Sequence, residues 1–179
     1  MMARVTLLAD EQLPADAVDL VEKMKTGRRG KLLNIYRMLL NAPPLAVAWF
    51  NQMNTVRWET DLSGRLRELV IIRIGYLLGA DYMLRQHVPK LAEADGVSRV
   101  ECEALKNSIN LEIFSEQEKA VLKYVDQVTK GVNVDDNIYG AAAKNLTDRQ
   151  MVELTVLIGA YNMHGRVMGA LRVDLEENP

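Results

Sequence analysis

Residues 67–87 read RELVIIRIGYLLGADYMLRQH, and the reading of this stretch decides the fold. An apolar run carries Glu68 near its start and Arg73 within it, and Gly79 closes it. A second segment ends at His87. Strict polar–apolar alternation is missing, so the run is a buried helix rather than a strand. Gly79 breaks that helix, and the next begins near Ala80. On the second helix Ala80, Met83 and His87 share one face, with Tyr82 one position off it. Ala80 and Met83 stand at the spacing that a redox motif fills with two cysteines. An antiparallel turn at Gly79 would carry Glu68, expected in the first turn of its helix, toward the same face. Pro89 lacks the N–H that would bond the Arg85 carbonyl, so a kink is expected just past His87.

Helical patterning extends along the chain, with Gly and Pro mainly at segment ends. Amphipathic segments cover 16–24 and 32–40, and the helix within NAPPLAVAWFNQMNTVRW (41–58) starts at its prolines. Ser98 with Glu101, Ser115 with Glu118 and Thr147 with Gln150 each fit a capping box. Gly96 and Gly131 fall where left-handed caps would end helices. The expectation is an all-α, single-domain bundle of about eight or nine helices over 1–179, with a helical N-terminal extension over about 1–42. RELVIIRIGY (67–76) and VELTVLIGAY (152–161) share Glu, Leu and Tyr at matching positions. Either an internal duplication or convergence accounts for this. Both helices are apolar enough to belong in the core or against another subunit.

Composition excludes several classes. With 49% hydrophobic and 26% charged residues, the 179-residue chain reads as an ordinary globular protein. A net charge of −2 argues against a nucleic-acid surface. The compact basic cluster KTGRRGK (25–31) reads as an inter-helix linker. Every apolar run is interrupted by charge before membrane-spanning length, so no membrane association is expected. A single cysteine, Cys102, permits neither an intramolecular disulfide nor a CxxC pair. Together with the absence of a secretory signal, it suggests the cytoplasm. Glu101 and Glu103 flank Cys102 and disfavour its thiolate, which makes it a structural or surface thiol rather than a nucleophile. Two distant histidines, His87 and His164, give no metal spacing, and no Gly-rich phosphate loop is present. Neither a metal nor a cofactor is expected.

Each residue of the 67–87 set has an ordinary structural role open to it. A glutamate early in a helix suits the dipole, a lone histidine often hydrogen-bonds structurally, and a tyrosine packs in a core. Together they allow a proton-transfer pocket without requiring one.

The stretch RELVIIRIGYLLGADYMLRQHVPKLAEADGVS resembles the signature region of the carboxymuconolactone decarboxylase family, which includes alkylhydroperoxidase D-like proteins. The likeness is strongest over 62–97, and NIYRMLLNAPPLAVAWF and LTDRQMVELTVLIGAYNMHGRV resemble the family's surroundings. In the peroxidase branch a glutamate, a tyrosine and a histidine relay protons to a CxxC pair; the matching positions here are Glu68, Tyr82 and His87. The cysteine positions fall on Ala80 and Met83, which can neither attack a peroxide nor resolve a sulfenic acid. CxxC-type peroxidase activity is therefore not expected.

The resemblance implies instead the cysteine-less decarboxylase branch, a cofactor-free lyase of aromatic catabolism acting on a small carboxylated lactone or oxo-acid. In that reading His87 donates a proton, Tyr82 bonds a developing oxyanion and Glu68 orients the imidazole or acts as partner base. Arg73, Ala80, Met83 and His164 line the substrate site, Arg73 by binding a carboxylate or else pairing with a glutamate such as Glu68, with a core or interface role as the alternative for His164. The alternative is a non-catalytic or regulatory homologue of the same fold. The family implies a homo-oligomer, trimer or hexamer, with pockets near subunit contacts.

Overall fold

The structure is a computed structural model that describes residues 2–26, 30–107 and 111–176. Arg28 and Arg29 of the basic linker lie outside the described residues. In chain order the α-helices are α1 (Val18–Thr26), α2 (Asn34–Leu39), α3 (Pro43–Trp58), α4 (Gly64–Leu78), α5 (Asp81–Gln86), α6 (Ala92–Ala94), α7 (Arg99–Ala104), α8 (Glu116–Lys130), α9 (Asp136–Ala143) and α10 (Asp148–Leu171). No strand forms among the described residues, and none of their helices is long and apolar enough to cross a membrane. The count exceeds expectation because the segment after Gly79 is divided. A π-helical turn, His87–Leu91, separates α5 from α6. There the Ala92 N–H bonds the His87 carbonyl, which re-satisfies backbone loosened by Pro89.

The backbone sorts into two compact units, 1–55 with 167–179, and 56–166. In the first, 3₁₀ turns at Asp10–Gln12 and Ala15–Ala17 precede α1, so the extension is helical only from residue 10 onward. The Arg4 N–H donates to the Leu171 carbonyl at 2.9 Å, and Asn34 Nδ2 donates to the Asp174 carbonyl at 2.9 Å, joining the unit's two chain segments. Tyr36 packs edge-on against Phe50 with ring centres 5.8 Å apart.

The second unit is built on α4. Ser63 caps it, accepting the Leu66 N–H at 3.2 Å, and nine consecutive residues from Arg67 to Gly75 are buried. A helix buried on every face needs its few polar residues to be partnered, and they are. Arg73 is the clearest case and corrects the reading of it as a substrate ligand. Nε and Nη2 donate to the two carboxylate oxygens of Asp126 at 2.7 Å each, and Nη1 donates to the Leu105 carbonyl at 2.7 Å. All three guanidinium nitrogens are committed to holding α4 against α8 and the end of α7. The partner is Asp126, not Glu68.

Two of the expected capping boxes do more than end helices. Glu101 and Glu118, which cap α7 and α8 with Ser98 and Ser115, also take Arg65 at 2.5 and 2.7 Å. The Arg65 hydrogen bond, helped by Ser98, holds the Glu101 carboxyl at about 2. Thr147 and Gln150 complete the third box at the start of α10. Gly96 is left-handed as expected, at φ 77°. Gly131 is not; it is extended at φ −137°. The chain is steered onward there by Gln127, whose side chain bonds both the N–H and the carboxylate of Asp135. Cys102 is buried in the core formed with Leu69, Ile72, Leu105, Phe114 and Leu122. Burial, then the charge of Glu101, pushes its thiol up, in keeping with a structural role.

Candidate functional site

Gly79 adopts φ 59°, a conformation that glycine enters without steric cost, and the chain turns there from α4 into α5. The two helices then approach closely at Gly75, where an added Cβ would lie 2.7 Å from Leu84 Cδ2 and 3.2 Å from Met83 Cε. This close packing brings His87 back over α4. Its Nδ1 lies 2.6 Å from Glu68 Oε2, with Glu68 fully buried and His87 only 4% exposed. Glu68 stands in the second helical turn, because α4 begins at Gly64. Its environment is therefore the protein interior and not the solvated end of a helix dipole.

Ala80, Tyr82 and Met83 are all buried in the same hairpin. The aromatic ring found against His87 is that of Tyr161 on α10, edge-on at 5.6 Å. Tyr161 in turn stacks on His164 at 5.7 Å, so His164 reaches the site through Tyr161. The two tyrosines and two histidines come from segments far apart in sequence.

Two arginines complete the surroundings. Arg57, near the end of α3, places Nη2 3.6 Å from Glu68 Oε1, close enough for charge attraction but too long for a hydrogen bond. Arg67 is buried and donates to Asp95 at 3.0 Å. Both guanidiniums lie over the Trp58 indole, at 4.7 and 5.2 Å from its centre. Among the described residues, Arg57 Nε and Nη2, Arg67 Nε and Glu68 Oε1 are buried atoms with no hydrogen-bond partner.

These charges set the protonation of the pair. Burial alone would raise the Glu68 carboxyl, but His87 and the charges of Arg57 and Arg67 outweigh it and hold it below the usual value. Burial lowers the His87 imidazole, against the pull of Glu68, and Arg57 and Arg67 lower it further. The resting pair is thus a carboxylate and a neutral imidazole. A carboxylate only accepts, so Nδ1–H donates to Glu68, and Nε2 carries the lone pair.

Sequence reading missed Arg57, Arg67 and Tyr161. Tyr161 had a signal, since it occupies the shared position in the 67–76 and 152–161 segments. Arg57 had a weaker one, a charge followed by tryptophan at the end of an apolar helix.

The all-helical fold is of the alkylhydroperoxidase D-like kind. Residues 43–127 match the model of the carboxymuconolactone decarboxylase family. No curated protein matches the sequence. Among solved structures, an uncharacterised peroxidase-related protein from Silicibacter sp. TM1040 is 16% identical, with a TM-score of 0.84 over 98% of this chain and 92% of that one. A second peroxidase-related protein, from Ralstonia eutropha JMP134, gives 15% identity and a TM-score of 0.83 over 98% and 93%. A cysteine-to-alanine variant of the debrominase Bmp8, in complex with 2,3,4-tribromopyrrole, gives 19% and 0.78 over 99% and 94%. At these identities the likeness is one of fold.

Proposed function

We propose that the protein is a cofactor-free lyase of the carboxymuconolactone decarboxylase type, acting by proton transfer on a small carboxylated lactone or oxo-acid. The observation that carries this is the buried 2.6 Å Glu68–His87 bond, beside positions 80 and 83 where no thiol stands. Glu68 fixes the imidazole tautomer and stabilises its protonated form, leaving Nε2 to exchange the proton. The resting imidazole is neutral, so His87 first takes up a proton and then delivers it. As CO₂ leaves, the electrons of the C–C bond pass into a dienolate, and the imidazolium protonates its carbon. One proton is consumed per CO₂ released. Held below its ordinary value, the imidazolium is a stronger acid than free histidine and a better donor to carbon. Tyr82 serves as a hydrogen-bond donor to the dienolate oxygen.

The test is a screen of carboxylated unsaturated lactones and oxo-acids for CO₂ release, with wild type beside His87→Ala. Activity lost in the variant supports the reading. Equal activity in both places the chemistry elsewhere, and none in either favours a non-catalytic homologue.

The same reading includes a cytoplasmic homo-oligomer, a trimer or hexamer. Its structural support is the outer face of α10, which leaves Val152 63% and Val156 45% exposed on so apolar a helix. A monodisperse monomer in light scattering at micromolar concentration would sink it.

A further inference from the structure

The Arg57 guanidinium has a role that the proton-transfer reading does not assign. Nε and Nη2 share the edge of the guanidinium that grips a carboxylate through two parallel N–H···O bonds. On Arg57 both are buried, and among the described residues neither has a hydrogen-bond partner. The nearby anion does not fill this edge. Glu68 is held back by its bond to His87, so Oε1 stays 3.6 Å from Nη2 and itself lacks a hydrogen bond. Buried donors left unmade are costly, and several together at one place call for a ligand. The side chain is also preorganised. Its side chain is 11% exposed, and its guanidinium is braced on the Trp58 ring, which Arg67 also faces. Arg67 adds a further buried donor without a partner, Nε, while its own charge is balanced by Asp95. Arg73, by contrast, has all three guanidinium nitrogens engaged within the fold.

We infer that the Nε/Nη2 edge of Arg57 is a carboxylate-binding fork, which anchors a monocarboxylate ligand beside the Glu68–His87 pair. This rests on the proton-transfer reading only in taking the bound carboxylate to be a substrate's; binding is tested apart from turnover. The fork selects a planar carboxylate over its ester, because an ester lacks the second anionic oxygen and the charge.

The experiment is calorimetric titration of the full chain with 4-oxopentanoate, benzoate and 2-furoate, and with the methyl ester of each. At least one acid is expected to bind wild type, with its ester at least about 10-fold weaker. Arg57→Gln should weaken that acid by about 10- to 100-fold. Arg57→Lys keeps the charge without the fork and should fall between them. Calorimetry reads binding whether or not anything is turned over, so failure of the acid–base chemistry leaves this result standing. Circular dichroism checks that each variant folds. If Arg57→Gln fails to fold, the lysine variant and the acid–ester comparison still decide. Equal binding by wild type and the Arg57 variants, equal binding of acid and ester, or no binding of any acid would each overturn the inference.

Discussion

The segments 67–76 and 152–161 look alike in sequence and meet opposite fates in the fold. On α4 every residue from Arg67 to Gly75 is buried, whereas the matching part of α10 leaves Val152, Thr155, Val156 and Gly159 exposed. The glutamates differ most. Glu68 is fully buried, bonded to His87 and faced by Arg57. Glu153 accepts from the Asp61 N–H and from Arg149 near the surface, an ordinary helix-stabilising arrangement. The tyrosines are reversed: Tyr161 packs against His87, while Tyr76 only flanks the core. Similar local pattern thus specifies the same secondary structure twice, and the packing around each copy decides whether a carboxylate is buried against a histidine or paired near the surface.

The largest expected effect contrasts the two glutamates. For any substrate found, Glu68→Gln should lower kcat/KM by about 100-fold or more, the scale of general acid–base catalysis. Glu153→Gln should stay within about 2-fold of wild type, as expected for a surface ion pair. Steady-state kinetics on both variants breaks the comparison if the two losses are equal.

The arginines come next. Arg73→Ala leaves the Leu105 carbonyl without its partner and Asp126 with Lys130 alone, and should cost about 2–3 kcal/mol in urea denaturation. Arg149→Ala removes an exposed pair on α10 and should cost at most about 1 kcal/mol.

A smaller contrast uses one residue type on both helices. Gly75→Ala would push Leu84 and Met83 aside and should destabilise by about 1–3 kcal/mol. At Gly159 an added methyl meets nothing within 4 Å. Gly159→Ala should therefore stabilise by about 0.5–1 kcal/mol through helix propensity. Thermal melts showing the same sign for both would refute this account of α4 packing.

The smallest effect lies in pH dependence. His87 is held below its ordinary value of 6.5 in the folded state, so just below pH 6.5 the unfolded chain binds more protons than the native one. Stability is full above that pH and should fall as pH drops through the window beneath it. His87→Gln should flatten this slope. A second loss sets in below pH 4.5; it includes Glu101, held at about 2, which releases Arg65 as it protonates, and that share should persist in the variant.

The all-helical class, the break at Gly79, the three capping boxes and the disturbance at Pro89 were legible because each depends on neighbours within a few residues. Glu68 and His87 were legible as a pair because one glycine turn joins their helices. Arg73 misled, since a buried guanidinium reads alike whether its partner is a substrate or Asp126, which lies 53 residues away. Gly131 misled because the Gln127 side chain, not a left-handed cap, directs the chain onward.

By itself, then, the sequence determined the helices, their ends, and the absence of a thiol pair at positions 80 and 83. Those follow from local backbone preference and covalent identity. Only the tertiary structure decided which charges surround Glu68 and His87, because α3 and α10 bring Arg57 and Tyr161 to them. It also decided the protonation of the pair, since desolvation and through-space charge depend on distance in the fold and not on distance along the chain.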